Sequence, residues 1–143
     1  ENDDPSTLAR SLQYVLVDNK GNKKLIANVH GLWTPNKKDT PERIIQSMNI
    51  KEFLSQRPGP KILCGDFNLL PDTESIASIE RAGMRNLIKE YGITSTRSQL
   101  YPHYHDAPLF ADYTFVSQEI KVHSFKVLPD VVSDHLAMML EFE

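Results

Sequence analysis

An aspartate and a carboxamide stand two residues apart in Gly65-Asp66-Phe67-Asn68, directly behind the apolar run Lys61-Ile62-Leu63-Cys64. In extended backbone, residues i and i+2 face the same side, so Asp66 and Asn68 can address one substrate group. Gly65, lacking a Cβ, lets another group approach the backbone closely. Taken alone, the stretch reads equally as a Gly-Asp turn with Asn68 as a loop former. A second cluster, Ser133-Asp134-His135, opens the last apolar segment. It can supply a metal ligand beside an acid or electrophile, or only a turn cap and a strand-edge histidine. Asp112 opens Tyr113-Thr114-Phe115-Val116 and can orient and charge-stabilise a histidine. A solvated strand-entry aspartate is its competing reading. His30 follows Leu25-Ile26-Ala27-Asn28-Val29, where packing against a helix competes with a role in chemistry.

Their combination lifts all four above their bland readings. Four strand-like runs each deliver polar groups at one end, and in layered α/β sheets strand ends are where sites form. Three carboxylates (Asp66, Asp112, Asp134), one amide (Asn68) and two imidazoles (His30, His135) suit divalent-metal-assisted attack on a phosphate. Hard oxygens bind Mg²⁺ or Mn²⁺, and an aspartate can orient or deprotonate a water. Imidazoles and an amide can stabilise the charged oxygens of the transition state.

The elements that must position these groups follow from patterning. Leu12, Tyr14 and Leu16 alternate in a strand, Asp18-Asn19-Lys20-Gly21-Asn22 signals a turn, and 25–29 is the return strand of a hairpin. Thr40-Pro41-Glu42 starts a helix, with Thr40 as cap and an apolar stripe of Ile44, Ile45, Met48, Phe53 and Leu54, stopped at Pro58-Gly59-Pro60. Residues 61–64 read as a buried strand. Asp72 or Thr73 caps a second helix that runs to about Ala82 and is ended by Gly83. Residues 84–112 read as irregular, and 113–117, 122–128 and 136–142 as three further strands. The pattern is mixed α/β: one mixed, largely antiparallel sheet with helices on one face.

The chain has 143 residues, 40% of them apolar, with a net charge of −3. That is enough for one core and one domain. The composition excludes general disorder and a coiled-coil rod, and the weak negative charge argues against a large basic nucleic-acid footprint over the whole surface. No apolar run reaches the roughly 18–20 residues a membrane span needs, and the polar start, residues 1–10, reads as a flexible lead-in. One cysteine, Cys64, excludes an internal disulfide and a CxxC metal site. It is expected in the core and leans toward a reducing, cytoplasmic location. Lys37-Lys38 are placed to steer an anionic substrate, Trp33 to anchor its loop, and Tyr101-Pro102-His103-Tyr104-His105-Asp106 to form a loop near the mouth of a site. A transition-metal site at His103, His105 and Asp106 is the weaker reading of that segment.

The stretches Asn28-Val29-His30-Gly31, Ile62-Leu63-Cys64-Gly65-Asp66-Phe67-Asn68, Ala111-Asp112-Tyr113-Thr114-Phe115-Val116 and Ser133-Asp134-His135, in this order and spacing, resemble the endonuclease/exonuclease/phosphatase superfamily with the DNase I-like fold. The resemblance implies a phosphate contact for His30 and orientation or activation of the attacking water by Asp66. It implies that Asn68 holds the scissile phosphate, that His135 is the catalytic histidine hydrogen-bonded by Asp112, and that Asp134 is a metal ligand. Thr94 or Thr96 matches a threonine that many members carry before the Asp-Tyr strand.

The resemblance covers only the second half of the family's four-layer α/β sandwich. The first half carries an early Asn and the Glu that is the principal Mg²⁺ ligand. Neither motif is visible before His30, and Glu1, Asp3 and Asp4 do not replace them. The expectation is therefore the C-terminal half of a single domain over 1–143, in a divalent-metal-dependent phosphoesterase, either nuclease or phosphodiesterase/phosphatase. As a fragment it would have weak or no activity. The missing N-terminal half is one implied partner. A homodimer through the sheet face left exposed is another. A non-catalytic assembly half-domain is the alternative, and a stand-alone half that completes its site in trans a further one.

Overall fold

The computed structural model of the chain describes residues 10–143. All but Arg10 of the expected lead-in lies outside them. Strands β1 (Leu12–Asn19) and β2 (Asn22–His30) form the expected hairpin. Its two-residue turn places Lys20 and Gly21 at φ of 53° and 86°, and Asp18 Oδ1 accepts the Gly21 N–H at 2.7 Å. Helix α1 (Pro41–Ser55) starts where expected, with Thr40 Oγ1 accepting the Arg43 N–H. Its inward face differs from the expected stripe. Arg43, Ser47, Ile50 and Leu54 are buried, whereas Ile45 and Met48 are exposed. Arg43 can be buried because its guanidinium donates to the Lys38 and Leu32 carbonyls at 2.8 and 2.7 Å.

Strand β3 (Lys61–Asp66) runs parallel to β2 and antiparallel to β5 (Asp112–Ser117). Between them lie helix α2 (Glu74–Arg81), short strand β4 (Met84–Asn86) and one-turn helix α3 (Leu87–Glu90). Neither Asp72 nor Thr73 caps α2 through its side chain. The Asp39 carboxylate reaches across and accepts the Glu74 and Ser75 N–H groups at 2.7 and 3.1 Å. The segment expected to be irregular is so only in part, since β4 joins the sheet edge beside β5.

The sheet order is β1-β2-β3-β5-β4, mixed and largely antiparallel, with β2–β3 its parallel pair. Ala27, Leu63 and Phe115 lie in register and are fully buried. Tyr14, paired with Ala27, packs edge-on against Phe53 of α1 at 5.2 Å, so the helix covers this face. Strands β6 (Val122–Val127) and β7 (Met138–Phe142) do not extend the sheet, as the single-sheet expectation would have them do. They form a two-stranded sheet of their own on the opposite face, where Met138 Sδ meets Thr114 Oγ1 at 3.8 Å. The edge strand β1 stays exposed at Val15, Leu16 and Val17.

Candidate active site

Three strands bring their ends together at one end of the sheet. His30 closes β2, Asp66 closes β3 and Asp112 opens β5, and the ladder sets His30 opposite Asp66 and Asp66 opposite Asp112. Residues 36 and 46 positions apart thus become neighbours through register alone. Gly65 makes this approach possible. At φ +135°, a Cβ there would lie 2.0 Å from the Val29 carbonyl oxygen of β2. Gly31 also meets the end of β3 closely: its N–H donates to the Asp66 carbonyl at 2.6 Å.

His135 enters from the loop before β7. Its Nδ1 bonds both Asp112 carboxylate oxygens, at 2.8 and 3.0 Å. A carboxylate only accepts, so Nδ1 carries the proton and Nε2 faces Asp66 Oδ2 at 3.8 Å. His30 Nε2 lies 3.9 Å from the same Asp66 oxygen. Burial, reinforced by the like charge of Asp112, pushes the Asp66 carboxyl above the usual carboxylate range; the Asn68 N–H and His135 oppose this. The Asp112 hydrogen bond pushes His135 above the ordinary imidazole range, against its own burial.

Asn68 sits in the left-handed region at φ 54°, a conformation asparagine tolerates. Its N–H donates to Asp66 Oδ1 at 2.8 Å. The residue is 2% exposed, and its Nδ2 has no hydrogen-bond partner among the described residues. A buried amide donor without an acceptor is costly, so one aimed at a ligand atom is the economical explanation.

Asp134 is placed differently from the others. Its Oδ2 accepts from Arg97 Nη1 at 2.6 Å and lies 3.8 Å from His135 Nε2. The group of potential metal-binding side chains whose ligand atoms converge, all within 4.8 Å, is Asp66, Asp112 and His135. Two carboxylates and an imidazole are a donor set that fits a hard or borderline divalent cation. His103, His105 and Asp106 form no such group among the described residues; both rings lean on neighbouring tyrosines.

The sequence model of the endonuclease/exonuclease/phosphatase family matches residues 3–135. The chain belongs to this family. No curated protein sequence matches it. Among solved structures, a mannosyl-6-phosphatase of Bacteroides thetaiotaomicron superposes with a TM-score of 0.71 at 20% identity, covering 87% of this chain and 52% of that one. Humanized D. rerio TDP2 gives 0.74 at 18% identity, covering 96% and 62%. The human nocturnin catalytic domain gives 0.68 at 20%, covering 92% and 51%. At these identities the likeness establishes the fold, and the chain spans a little over half the length of the structures it matches.

Within this endonuclease/exonuclease/phosphatase fold, sequence reasoning left Thr96 and Lys37 without their structural roles and missed Arg97. Thr96, 0% exposed, accepts the Ala111 and Asp112 N–H groups on Oγ1 at 3.1 and 3.2 Å and so fixes the entry of β5. Of the two threonines considered for that place, it is the one that touches the strand. Lys37 is no solvated steering charge. It is 5% exposed, and its ammonium donates to the Phe110 and Pro108 carbonyls at 2.9 and 3.3 Å. Burial, and then Arg97, hold it below the usual lysine range. Arg97, 6% exposed, reaches both Asp134 and His135 Nε2. No spacing rule flags it, because its link to 134–135 is a single bridge between Arg97 and His135 across a loop. A separate cavity of about 840 Å³ opens between β1, the end of β2 and α1, lined by Leu12, Val29, Leu32, Ile45 and Phe53. None of the six candidate site residues borders it.

Proposed function

We propose that the protein is a divalent-metal-dependent phosphoesterase that hydrolyses a phosphate ester by in-line attack of water. The observation that carries this reading is the junction of Asp66, Asp112 and His135 at three chain positions brought together by strand register. Asp66, with its affinity for a proton raised, accepts a proton from the attacking water. Asp112 holds Nδ1–H of His135, so that Nε2 is presented to the phosphate and the imidazolium form is supported as charge develops. Asn68 Nδ2, which lacks a protein acceptor among the described residues, donates to a non-bridging phosphoryl oxygen, and His30 at the open edge contacts a second.

Mg²⁺ or Mn²⁺ would be held by Asp134, which lies outside the converging group of Asp66, Asp112 and His135 and whose Oδ2 is taken by Arg97, but whose other oxygen accepts no hydrogen bond among the described residues. When bound it supplies Lewis-acid neutralisation of the phosphoryl oxygens. The names of the matched structures, a mannosyl-6-phosphatase among them, support a phosphate ester as substrate class. Nuclease and small-molecule phosphatase activity both fit this site.

The test is Mg²⁺-dependent hydrolysis of chromogenic phosphomonoesters and phosphodiesters, with Asp66→Ala as control. Turnover that vanishes in the variant supports the reading; turnover unchanged by Asp66→Ala, or equal with and without metal, overturns it. The exposed Val15 and Val17, which share one face of β1, support a second reading, in which this face is covered by a further part of the domain or by a second copy of the chain. Sedimentation that gives a monomer at all concentrations would remove the dimer. No helix among the described residues is long and apolar enough to cross a membrane. A cytoplasmic location is part of the proposal and rests on the single thiol, Cys64.

A further inference from the structure

Three carboxylates surround the site, and a phosphate brings more negative charge to it. Two fixed cations stand close enough to matter. Lys37 has committed two of its ammonium protons to the Pro108 and Phe110 carbonyls. Arg97 is different. A guanidinium carries five donors in a planar fork, and the fork of Arg97 is only partly used. Nη1 donates to Asp134 Oδ2 at 2.6 Å and also meets His135 Nε2. Nε is buried with no hydrogen-bond partner among the described residues.

Nη1 therefore sits against the imidazole nitrogen that faces the phosphate in the reading above. An oxygen that reaches Nε2 comes within the reach of the guanidinium as well. The group is also fixed in advance. Its Cζ lies 4.7 Å from the centroid of the Tyr101 ring, and Lys37 Nζ lies 5.0 Å from the same centroid. Asp134 is 42% exposed on its side chain and His135 31%, while Arg97 is 7% exposed. The cation is thus seated just behind the open side of the site, where it keeps its strength because water does not screen it.

We propose that Arg97 is a phosphate-contacting residue of this site, held in place by Asp134 and by the Tyr101 ring. The inference rests on the phosphoesterase reading for its choice of ligand, and its test does not depend on turnover. The planar fork suits two phosphate oxygens at once, which a lysine cannot imitate. A purely structural arginine would hold the 133–135 loop through Asp134 and would be indifferent to phosphate.

The experiment titrates inorganic phosphate into the whole chain at constant ionic strength, following the Arg97 Nε–H resonance by NMR. Arg97→Gln and Arg97→Lys are compared with the wild type. The expected result is a saturable movement of the Arg97 resonance, a phosphate Kd weakened about tenfold or more in Arg97→Gln, and an intermediate loss in Arg97→Lys. Wild-type affinity in a folded Arg97→Gln overturns the proposal. If Arg97→Gln does not fold, Arg97→Lys and the wild-type resonance decide: a resonance indifferent to phosphate, with Arg97→Lys binding as tightly as the wild type, overturns it. A chain with no saturable phosphate binding overturns it too. The two readings separate cleanly. A chain that binds phosphate through Arg97 but hydrolyses no ester leaves this inference standing and removes hydrolysis by this chain alone. An active chain whose Arg97→Gln variant binds phosphate normally does the reverse.

Discussion

Replacing Gly65 by alanine attacks the site through its scaffold without touching a reacting group. Gly65 lies in register with Val29 of the neighbouring parallel strand, at φ +135°. The added Cβ would stand 2.0 Å from the Val29 carbonyl oxygen and 2.9 Å from both its carbon and its nitrogen. All three are backbone atoms, so no side-chain rotation relieves the clash, and β2 and β3 must part by about 1 Å merely to reach 3.0 Å. Two contributions add. Holding an L-residue at this φ costs about 1–3 kcal/mol. Forcing a methyl group into a packed interface costs about 1–3 kcal/mol more. The sum, about 2–6 kcal/mol, is a large share of the roughly 5–15 kcal/mol typical of a folded domain. It corresponds to a fall in Tm on the order of 10–20 °C.

Urea and thermal unfolding of the chain measure this directly, with Gly83→Ala as the reference. Gly83 also has a positive φ, +88°, but a Cβ there meets nothing within 4 Å. Its replacement isolates the backbone contribution and is expected to cost about 1 kcal/mol. If Gly65→Ala proves no more destabilising than Gly83→Ala, the close approach of β2 to β3 is not what the ladder describes. The placement of His30 beside Asp66 would then fall with it.

Asp66→Asn should stabilise the chain. The folded carboxyl is raised, so the stability it contributes is complete below the ordinary carboxylate range and lost as pH climbs through the raised value; the variant's Tm should gain a few degrees on the wild type between about pH 4 and pH 7, and a loss at pH 7 would refute this. Asp112→Asn should cost about 1–2 kcal/mol near pH 5.5 and less near pH 8.5 by urea unfolding. The raised His135 contributes stability that is full below its unfolded range and fades as pH rises through the folded value, while relief of the Asp66 repulsion works in the same direction; a cost that grows with pH would contradict it. Thr96→Val should cost about 2–4 kcal/mol by stranding two amide donors, whereas Thr96→Ser should stay near about 1 kcal/mol; equal losses would show that the hydroxyl is idle. Mg²⁺ at about a hundred times its Kd should add about 2.7 kcal/mol of stability, reversed by chelation and reduced in Asp134→Asn; a Tm blind to the metal would argue against the cation site.

Much of this molecule is legible in its sequence, and the boundary of legibility has a physical origin. The hairpin, α1, β3, α2 and β5 announce themselves through alternation, breakers and caps, all of which are local. The candidate residues stand out by the same local logic, as polar groups at the ends of apolar runs. What local patterns do not encode is what lies across space. The cap of α2 comes from Asp39, 35 positions from the first amide it accepts. The burial of Arg43 depends on two loop carbonyls. Strands 122–127 and 138–142 have the same apolar rhythm whether they extend a sheet or lie on its face, and only packing against Thr114 decides. Arg97 escapes notice for the same reason: nothing near it in the chain marks it, and its partners are 37 and 38 positions away.

The site also carries a cost that a fold built only for stability would avoid. Register sets Asp66 directly opposite Asp112, two carboxylates side by side at a half-buried sheet end. Neither is needed to end its strand, and an asparagine at 66 would keep the Asn68 turn without the repulsion. The surrounding structure offsets the charge without removing it: His135 takes Asp112, Arg97 takes Asp134, and Asp66 is left with one backbone amide and two imidazoles at 3.8 and 3.9 Å. Those distances are too long for hydrogen bonds and short enough for one small ion to touch both groups. A strained carboxylate with its partners held slightly out of reach is poised to gain from whatever enters, and local rules are broken most readily where binding or chemistry repays the loss.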